Sequence, residues 1–205
     1  FYLQLARGLS PTQSALILIP MAVISGALAP LAGRLLDRVD PRLILVPGLG
    51  VVAAALVLNV VLVAGGADTP IWLFLIPSAL QGIGNAGMWG PLATTATRNL
   101  PPHLAGAGSG IYNTTRTVGS VIGSAAIAAL MQARLTANLP ALEGGSGGFG
   151  DGALPPFIVP GFSTAMAESL WLPVAATVIG VVAVLFMRRP GFLPERGGSP
   201  SSVAE

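Results

Sequence analysis

Arg116 is the residue whose type and position are most unusual in this sequence. It is the only charged residue between positions 104 and 132, a run longer than the roughly 20 residues that a helix needs to cross a bilayer. An arginine near a bilayer centre costs about 2.5–3.5 kcal/mol on insertion scales, so it usually faces a water-filled cavity or a partner. At about 100° per residue, five polar residues fall within roughly 80° of one another on such a helix: Ser109, Asn113, Arg116, Ser120 and Ser124. This stripe predicts a helix that lines a solute pathway; the alternative is an arginine that only ties two helices together.

The other ionisable residues do not form a recognisable catalytic or metal site. The chain has no cysteine, and its one histidine, His103, falls in a predicted loop. Metal catalysis requires clustered ligands, and an intramembrane protease requires paired aspartates or a serine with a base at membrane depth. All eight carboxylates are predicted in loops, tails or helix ends: Asp37, Asp40, Asp68, Glu143, Asp151, Glu168, Glu195 and Glu205. We therefore predict no enzyme, no metal and no cofactor.

The composition indicates a membrane protein. Charged residues make up 9% of the 205 residues, against roughly 25% in soluble domains. Hydrophobic residues make up 53%, and the mean hydropathy is +0.77. The net charge is only +2, without a large basic cluster, so a nucleic-acid partner is not expected.

The hydropathy pattern predicts five complete transmembrane helices, at about 13–33, 43–64, 71–97, 104–132 and 169–187. Residues 1–6 are predicted to be the tail of a truncated span, 134–168 a glycine-rich external loop, and 188–205 a disordered cytoplasmic tail. Pro20 and Pro30 are expected to kink the first complete span. Two GxxxG pairs, Gly106 with Gly110 and Gly119 with Gly123, predict close contacts with neighbouring helices. Because the chain begins at Phe1, we expect a piece of a longer reading frame.

The arginines predict the orientation. Successive loops alternate sides of the membrane, and one side collects most of the positive charge, as cytoplasmic loops do. That side holds Arg34, Arg38, Arg42, Arg98, Arg188, Arg189 and Arg196, whereas the other holds Arg7 and Arg134. We therefore predict a multi-pass protein of the cell membrane with a cytoplasmic C-terminus.

The loop after the first complete span resembles a known family motif. The run GRLLDR at positions 33–38, followed by Arg42, is similar to the G-x-x-x-D-R-x-x-x-[RK] loop of the major facilitator superfamily. In order along the chain, FYLQ, GLSPTQSALILIP, GIGNAGMWGPL and GAGSGIYNTTRTVGSVIGSA resemble the second half of the fourteen-helix drug:proton antiporters. The resemblance covers about residues 2–132. It departs at Asp40, where the family loop often has glycine.

The resemblance implies a fold and a function. The fold would be an all-α membrane protein, the C-terminal six-helix half of a facilitator-type transporter with its first helix truncated. The function would be proton-driven efflux of drugs or other small amphipathic solutes by alternating access. The implied partners are the solute, protons, the lipid bilayer and a missing N-terminal half, which would carry the coupling acids. The alternatives are a facilitator for sugars, organic acids or lipids, and a membrane module that does not transport.

Two groups of residues follow as candidate sites. In the resembled family the loop aspartate helps to hold a cytoplasmic gate closed, which implicates Gly33, Asp37, Arg38 and Arg42 here. The alternative is that the charges of this loop only set the orientation of the helices in the membrane. The candidate substrate pathway consists of Gln81, Asn85, Met88, Trp89, Tyr112, Asn113, Arg116 and Ser120. For Gln81, Asn85, Met88 and Trp89 the alternative is that their side chains only pack helices together.

Overall fold

The structure, a computed structural model, describes residues 2–36, 38–97, 100–138 and 158–186. Residues 2–6 form a π-helical turn, Tyr2–Ala6. The described α-helices are α1 (Pro11–Leu16), α2 (Ile19–Leu36), α3 (Arg42–Ala64), α4 (Leu75–Thr97), α5 (Ala105–Asn138) and α6 (Val159–Leu185). Short 3₁₀ turns occur at Gly66–Asp68, Ile71–Phe74 and Pro102–Leu104. No strand occurs in these ranges.

Five segments of the described chain are long and apolar enough to cross a membrane. They are Pro11–Leu36, Arg42–Ala64, Ile71–Thr97, Ala105–Asn138 and Val159–Leu185. The predicted all-α membrane fold class is confirmed. The prediction that residues 1–6 belong to a truncated span stays a prediction, and the predicted tail at 188–205 lies outside the described residues.

The first span is interrupted near its start. Ser10 caps α1 in a capping box: its Oγ accepts the N–H of Gln13 at 3.2 Å, and its own N–H donates to Gln13 Oε1 at 3.0 Å. The helix pauses between Leu16 and Ile19. Pro20 lies just beyond this break, and a proline cannot donate the backbone hydrogen bond that a continuous helix would require there. The second proline, Pro30, is accommodated inside α2.

The centre of the bundle depends on glycines that let backbones approach closely. A Cβ at Gly48 of α3 would lie 3.2 Å from the carbonyl carbon of Gly87 in α4, and one at Gly84 would lie 2.8 Å from the Gly48 oxygen. On the other side of α4, a Cβ at Gly82 would lie 2.7 Å from the carbonyl oxygen of Met21 in α2. Small residues at such crossings bring helices together through backbone packing. The α4 helix is thereby held between α2 and α3.

The main cluster of buried apolar side chains lies at one end of the bundle. There the start of α6 packs against the end of α3 and the first residues of the chain, and the rings of Tyr2 and Phe74 lie 5.9 Å apart. Tyr2 also donates its hydroxyl proton to the carbonyl of Gly66, at 2.8 Å. The cluster includes Tyr2, Ile17, Val60, Val63, Phe74, Leu135, Val159 and Phe162.

The predicted boundaries around the long loop differ from the observed helices. The α5 helix continues to Asn138, and α6 begins at Val159 rather than at Ser169. Tertiary packing explains the earlier start, because Phe162 is only 1% exposed and Ala165 is 0% exposed. The hydroxyl of Ser169 donates to the Ala165 carbonyl at 2.7 Å, so this polar side chain is satisfied within the helix. Residues 139–157 lie outside the described ranges.

Two helices of the described chain carry almost no fully buried residue. No residue of α2 is buried, and in α5 only Leu135 is. The GxxxG prediction is wrong for contacts within the described chain, since a Cβ at any of its four glycines would meet no atom within 4 Å. The reason is that the single buried residue of α5 lies near its C-terminal end, far along the chain from Gly106, Gly110, Gly119 and Gly123.

The close approach of α3 and α4 can be tested with two glycine-to-alanine variants of α4. Gly84→Ala should destabilise the protein by about 1–3 kcal/mol, because its Cβ would press on the backbone of α3. Gly90→Ala in the same helix is the control, since nothing lies within 4 Å of a Cβ there. Thermal unfolding in detergent, followed by loss of the monodisperse chromatographic peak, measures the difference. Equal melting temperatures for the two variants would contradict the close approach.

Candidate functional site

A groove between α4 and α5 contains an open pocket of about 330 Å³. The two helices present matching faces, because residues 89, 93 and 97 recur every four positions and residues 109, 113 and 116 recur every three or four. The volume of the pocket falls at the lower end of the range for small-molecule sites, about 300–1,000 Å³. The pocket is lined by Trp89, Ala93, Thr94, Thr97, Ser109, Tyr112, Asn113 and Arg116.

The Arg116 guanidinium lies over the indole of Trp89, with its Cζ 4.6 Å from the ring centroid. This is cation–π geometry, worth about 0.5–1 kcal/mol at an exposed site. Trp89 remains 42% exposed, so the contact does not cover the whole ring. Within the described part of the chain, Arg116 makes no ion pair or hydrogen bond, and its N–H groups stay available to the groove.

The neutral polar groups of the pocket differ in what they can offer. The hydroxyls of Thr94 and Thr97 donate to the carbonyls of Gly90 and Ala93, at 3.0 and 3.1 Å. Their protons are therefore engaged, and they present methyl groups and oxygen lone pairs. Ser109, Tyr112 and Asn113 form no side-chain hydrogen bond with another described residue. The groove thus contains free donors on its α5 wall.

Half of the predicted pathway residues line this pocket, namely Trp89, Tyr112, Asn113 and Arg116. The predicted α4 stripe of Gln81, Asn85 and Met88 is half-buried and does not line it. The reason is angular: Met88 and Trp89 are consecutive, so their side chains point about 100° apart on the helix. Ser120 is exposed on α5 and also lies outside the pocket lining. The role of all eight residues in solute passage stays a prediction.

Sequence reasoning missed three lining residues, Ala93, Thr94 and Thr97. A signal for two of them was present, because positions 93 and 97 follow Trp89 at intervals of four and so share its helix face. The fourth unassigned lining residue, Ser109, belongs to the predicted polar stripe of α5.

The predicted gate residues lie around the C-terminal end of α2. Arg34 and Arg38 line a second open pocket, of about 890 Å³, together with Leu31 and Leu35. Gly33 is exposed, and a Cβ added there would meet no atom within 4 Å. Asp37 lies outside the described residues, so its ionic contacts with Arg38 and Arg42 stay a prediction.

The start of α3 explains how the loop tolerates Asp40 in place of the usual glycine. Asp40 Oδ1 accepts the backbone N–H of Arg42 at 3.1 Å, which is the local turn bond that aspartate favours. This bond orients the chain into α3. The Nε of Arg42 is buried and has no hydrogen-bond partner within the described chain.

One carboxylate lies inside a candidate span, contrary to the prediction from sequence. Glu168 falls within α6 because that helix begins at Val159. Its Oε2 lies 3.4 Å from Nη1 of Arg134 on α5, an ion pair too long for a charge-assisted hydrogen bond. The two side chains are 40% and 49% exposed. Among the described candidate spans, no other aspartate or glutamate occurs.

No group of three or more potential metal ligands occurs among the described residues. The described lining of the α4–α5 groove offers one guanidinium, an indole and neutral donors.

A family model for the Major Facilitator Superfamily matches residues 1–124. The chain belongs to this superfamily of transporters. An MFS-type transporter of Mycobacterium tuberculosis is 42% identical over 91% of this chain and 33% of its own length. The lincomycin resistance protein LmrB of Listeria monocytogenes is 27% identical over 92% of this chain and 38% of its own. The multidrug resistance protein Stp of M. tuberculosis is 32% identical over 69% of this chain and 26% of its own.

These superfamily relatives confirm the resemblance drawn from the loop and helix motifs. They also include proteins named for drug resistance. This chain spans about a third of the length of the relatives it matches.

The ion pair between α5 and α6 is expected to add little stability. Glu168→Gln should change the free energy of unfolding by less than about 1 kcal/mol, because a partly exposed pair gains little over solvated charges. Thermal unfolding in detergent at low and at high salt measures this effect. Although the side chain as a whole is partly exposed, the Oε2 atom of Glu168 is itself buried without a hydrogen-bond partner among the described residues. A loss of several kcal/mol would mean that the burial of this atom dominates the energetics of the pair.

Proposed function

We propose that this chain is the C-terminal half of a proton-driven exporter of drugs or other small amphipathic solutes. The observation that carries the proposal is the α4–α5 groove, in which Arg116 lies over Trp89 between two candidate spans. A membrane anchor does not require a charged side chain between two spans, whereas charged side chains commonly line solute pathways. Membership of a transporter superfamily and drug-resistance relatives support the same function.

The exposure of α2 and α5 supports a second half. Within the described chain Leu135 is the one fully buried residue of these two helices, and relatives are about three times as long. In transporters built from two repeats, the solute site lies near the membrane midplane between them. The exposed faces of α2 and α5 are the surfaces that such a partner half would meet. The glycines of α5 would then allow it a close approach.

The mechanism we propose is alternating access. The two halves rock about a central site, so that the groove opens to one side of the membrane and then to the other. Trp89 and the threonine methyl groups suit varied apolar solutes, while Arg116 and Asn113 orient their polar groups. The proposed cytoplasmic gate consists of Gly33, Asp37, Arg38 and Arg42, at the junction of α2 and α3.

Proton coupling requires a titratable group along the pathway. The carboxylate of the described candidate spans, Glu168, is on α6 and pairs with Arg134 rather than lining the α4–α5 pocket. We therefore assign coupling to acidic residues of the N-terminal half.

The proposed orientation can be tested with single cysteines. Because the chain has no native cysteine, Asp68→Cys and His103→Cys give clean labelling sites at two exposed positions. A membrane-impermeant maleimide added to intact cells should label position 68 and not position 103. Labelling of both positions from outside would contradict the proposed topology, and labelling only at 103 would invert it.

The role of Arg116 can be tested in the complete transporter. Arg116→Ala should insert and fold normally, because removing the charge relieves a desolvation cost. Efflux per folded molecule should fall by roughly tenfold or more, since a charge-assisted contact is worth about 1.5–3 kcal/mol. Arg116→Lys should retain little of the wild-type efflux, because lysine lacks the planar guanidinium of arginine. The measurement is efflux from proteoliposomes, normalised to folded protein.

A structural arginine would give a different pattern. Both substitutions would then lower the yield of folded protein, while the specific activity of the remaining molecules stayed normal. Normal specific activity in Arg116→Ala would overturn the pathway assignment.

A further inference from the structure

We propose, building on the function proposed above, that the α4–α5 groove selects planar anionic solutes. Their carboxylate, sulfonate or phosphate group would bind the Arg116 guanidinium, and their ring system would lie beside the exposed part of Trp89. The ligand class follows from the charge, the donor pattern and the stacking geometry of this one groove.

Among the described residues, the charge of the groove is positive only. Arg116 is the single charged residue in the described pocket lining, and neither α4 nor α5 contains an acidic residue. The described acid within a candidate span, Glu168, pairs with Arg134. Arg134 is 18 positions along α5 from Arg116, which corresponds to about 27 Å along the helix axis. The Glu168 carboxylate is thus too distant to neutralise the groove, and a cationic solute would meet a like charge there that no described carboxylate offsets.

The donor pattern also favours an anion. Thr94 and Thr97 already donate their hydroxyl protons to backbone carbonyls. The free polar groups on the α5 wall are the hydroxyls of Ser109 and Tyr112 and the amide of Asn113, each of which can donate a hydrogen bond. Together with the guanidinium they form a wall of donors with no carboxylate among them.

Trp89 orients the arginine. An indole at 4.6 Å from Cζ holds the guanidinium against the α4 wall, while no hydrogen bond or ion pair within the described chain uses its N–H groups. A guanidinium held in this way offers two parallel N–H donors to an oxyanion, a geometry that a flexible lysine does not supply. The part of the indole that remains exposed provides an apolar surface for an aromatic ring.

Two probes with one ring system and opposite charge test this proposal. They are naphthalene-2-sulfonate and 2-naphthyltrimethylammonium, bound to the complete transporter in nanodiscs and measured by equilibrium dialysis against empty nanodiscs. The wild type should bind the sulfonate roughly tenfold or more tightly than the ammonium. Arg116→Gln should abolish this preference by weakening the sulfonate and strengthening the ammonium, since the attraction and the repulsion are lost together, and Arg116→Lys should retain only part of it.

Two further variants make the test robust. Asn113→Asp keeps the side-chain shape and leaves Arg116 in place, but it adds a carboxylate one helical turn away; it should weaken the sulfonate and strengthen the ammonium. Arg134→Gln removes an arginine from the same helix outside the groove and should change either affinity by less than about twofold. The Asn113→Asp result decides the matter if Arg116→Gln does not fold.

The possible outcomes separate this proposal from the proposed export function. Sulfonate binding that depends on Arg116 supports the anion site even if vesicles show no efflux, in which case export is the claim that fails. Equal binding of both probes by the wild type overturns the anion site, even where efflux is robust. An equal loss of both probes in Arg116→Gln also overturns it, because the arginine would then serve a carboxylate of the protein itself.

Discussion

The backbone contact between α3 and α4 is the constraint on which the described bundle depends. Gly48, Gly84 and Gly87 allow the two helices to approach within van der Waals distance of main-chain atoms. In a bilayer, where lipid is as apolar as a leucine side chain, such close packing replaces much of the hydrophobic drive that assembles soluble proteins. The contact also fixes the rotation of α4 about its axis. Because Trp89 follows Gly87 by two positions, that rotation directs the indole away from α3 and toward α5.

Much of the fold follows from the sequence, because a membrane span is encoded locally. A run of about 20 apolar residues is sufficient to predict a crossing helix, and the second and third complete spans begin and end close to their predicted positions, as the fourth begins close to its own. The start of α6 could not be predicted in this way. The residues from Phe162 to Ser169 include three hydroxyls and Glu168, which lower the local hydropathy, while their burial depends on contacts with α3 and the N-terminal turn.

The candidate site shows the same division between local and tertiary information. The polar stripe of α5 could be derived from helical periodicity, and three of its residues, Ser109, Asn113 and Arg116, line the pocket. Periodicity does not show which face of α4 opposes that stripe. The amides Gln81 and Asn85 look like the chemically active face, yet the residues across the groove from Arg116 are Trp89 and two threonines. The glycine contacts on the opposite side of α4 set the rotation of this helix and so determine which of its faces points into the groove.

The uneven burial along the bundle has a mechanical consequence. Apolar side chains are locked together around Phe162 and Phe74 at one end, whereas α2 and the first two-thirds of α5 contribute no buried residue within the described chain. Helices α3, α4 and α6 carry buried residues along their whole lengths, including Leu45, Pro91 and Val184 outside that cluster. These three helices therefore move as one unit, and α2 and α5 can tilt against it at less energetic cost because they have almost no fully buried apolar area to expose.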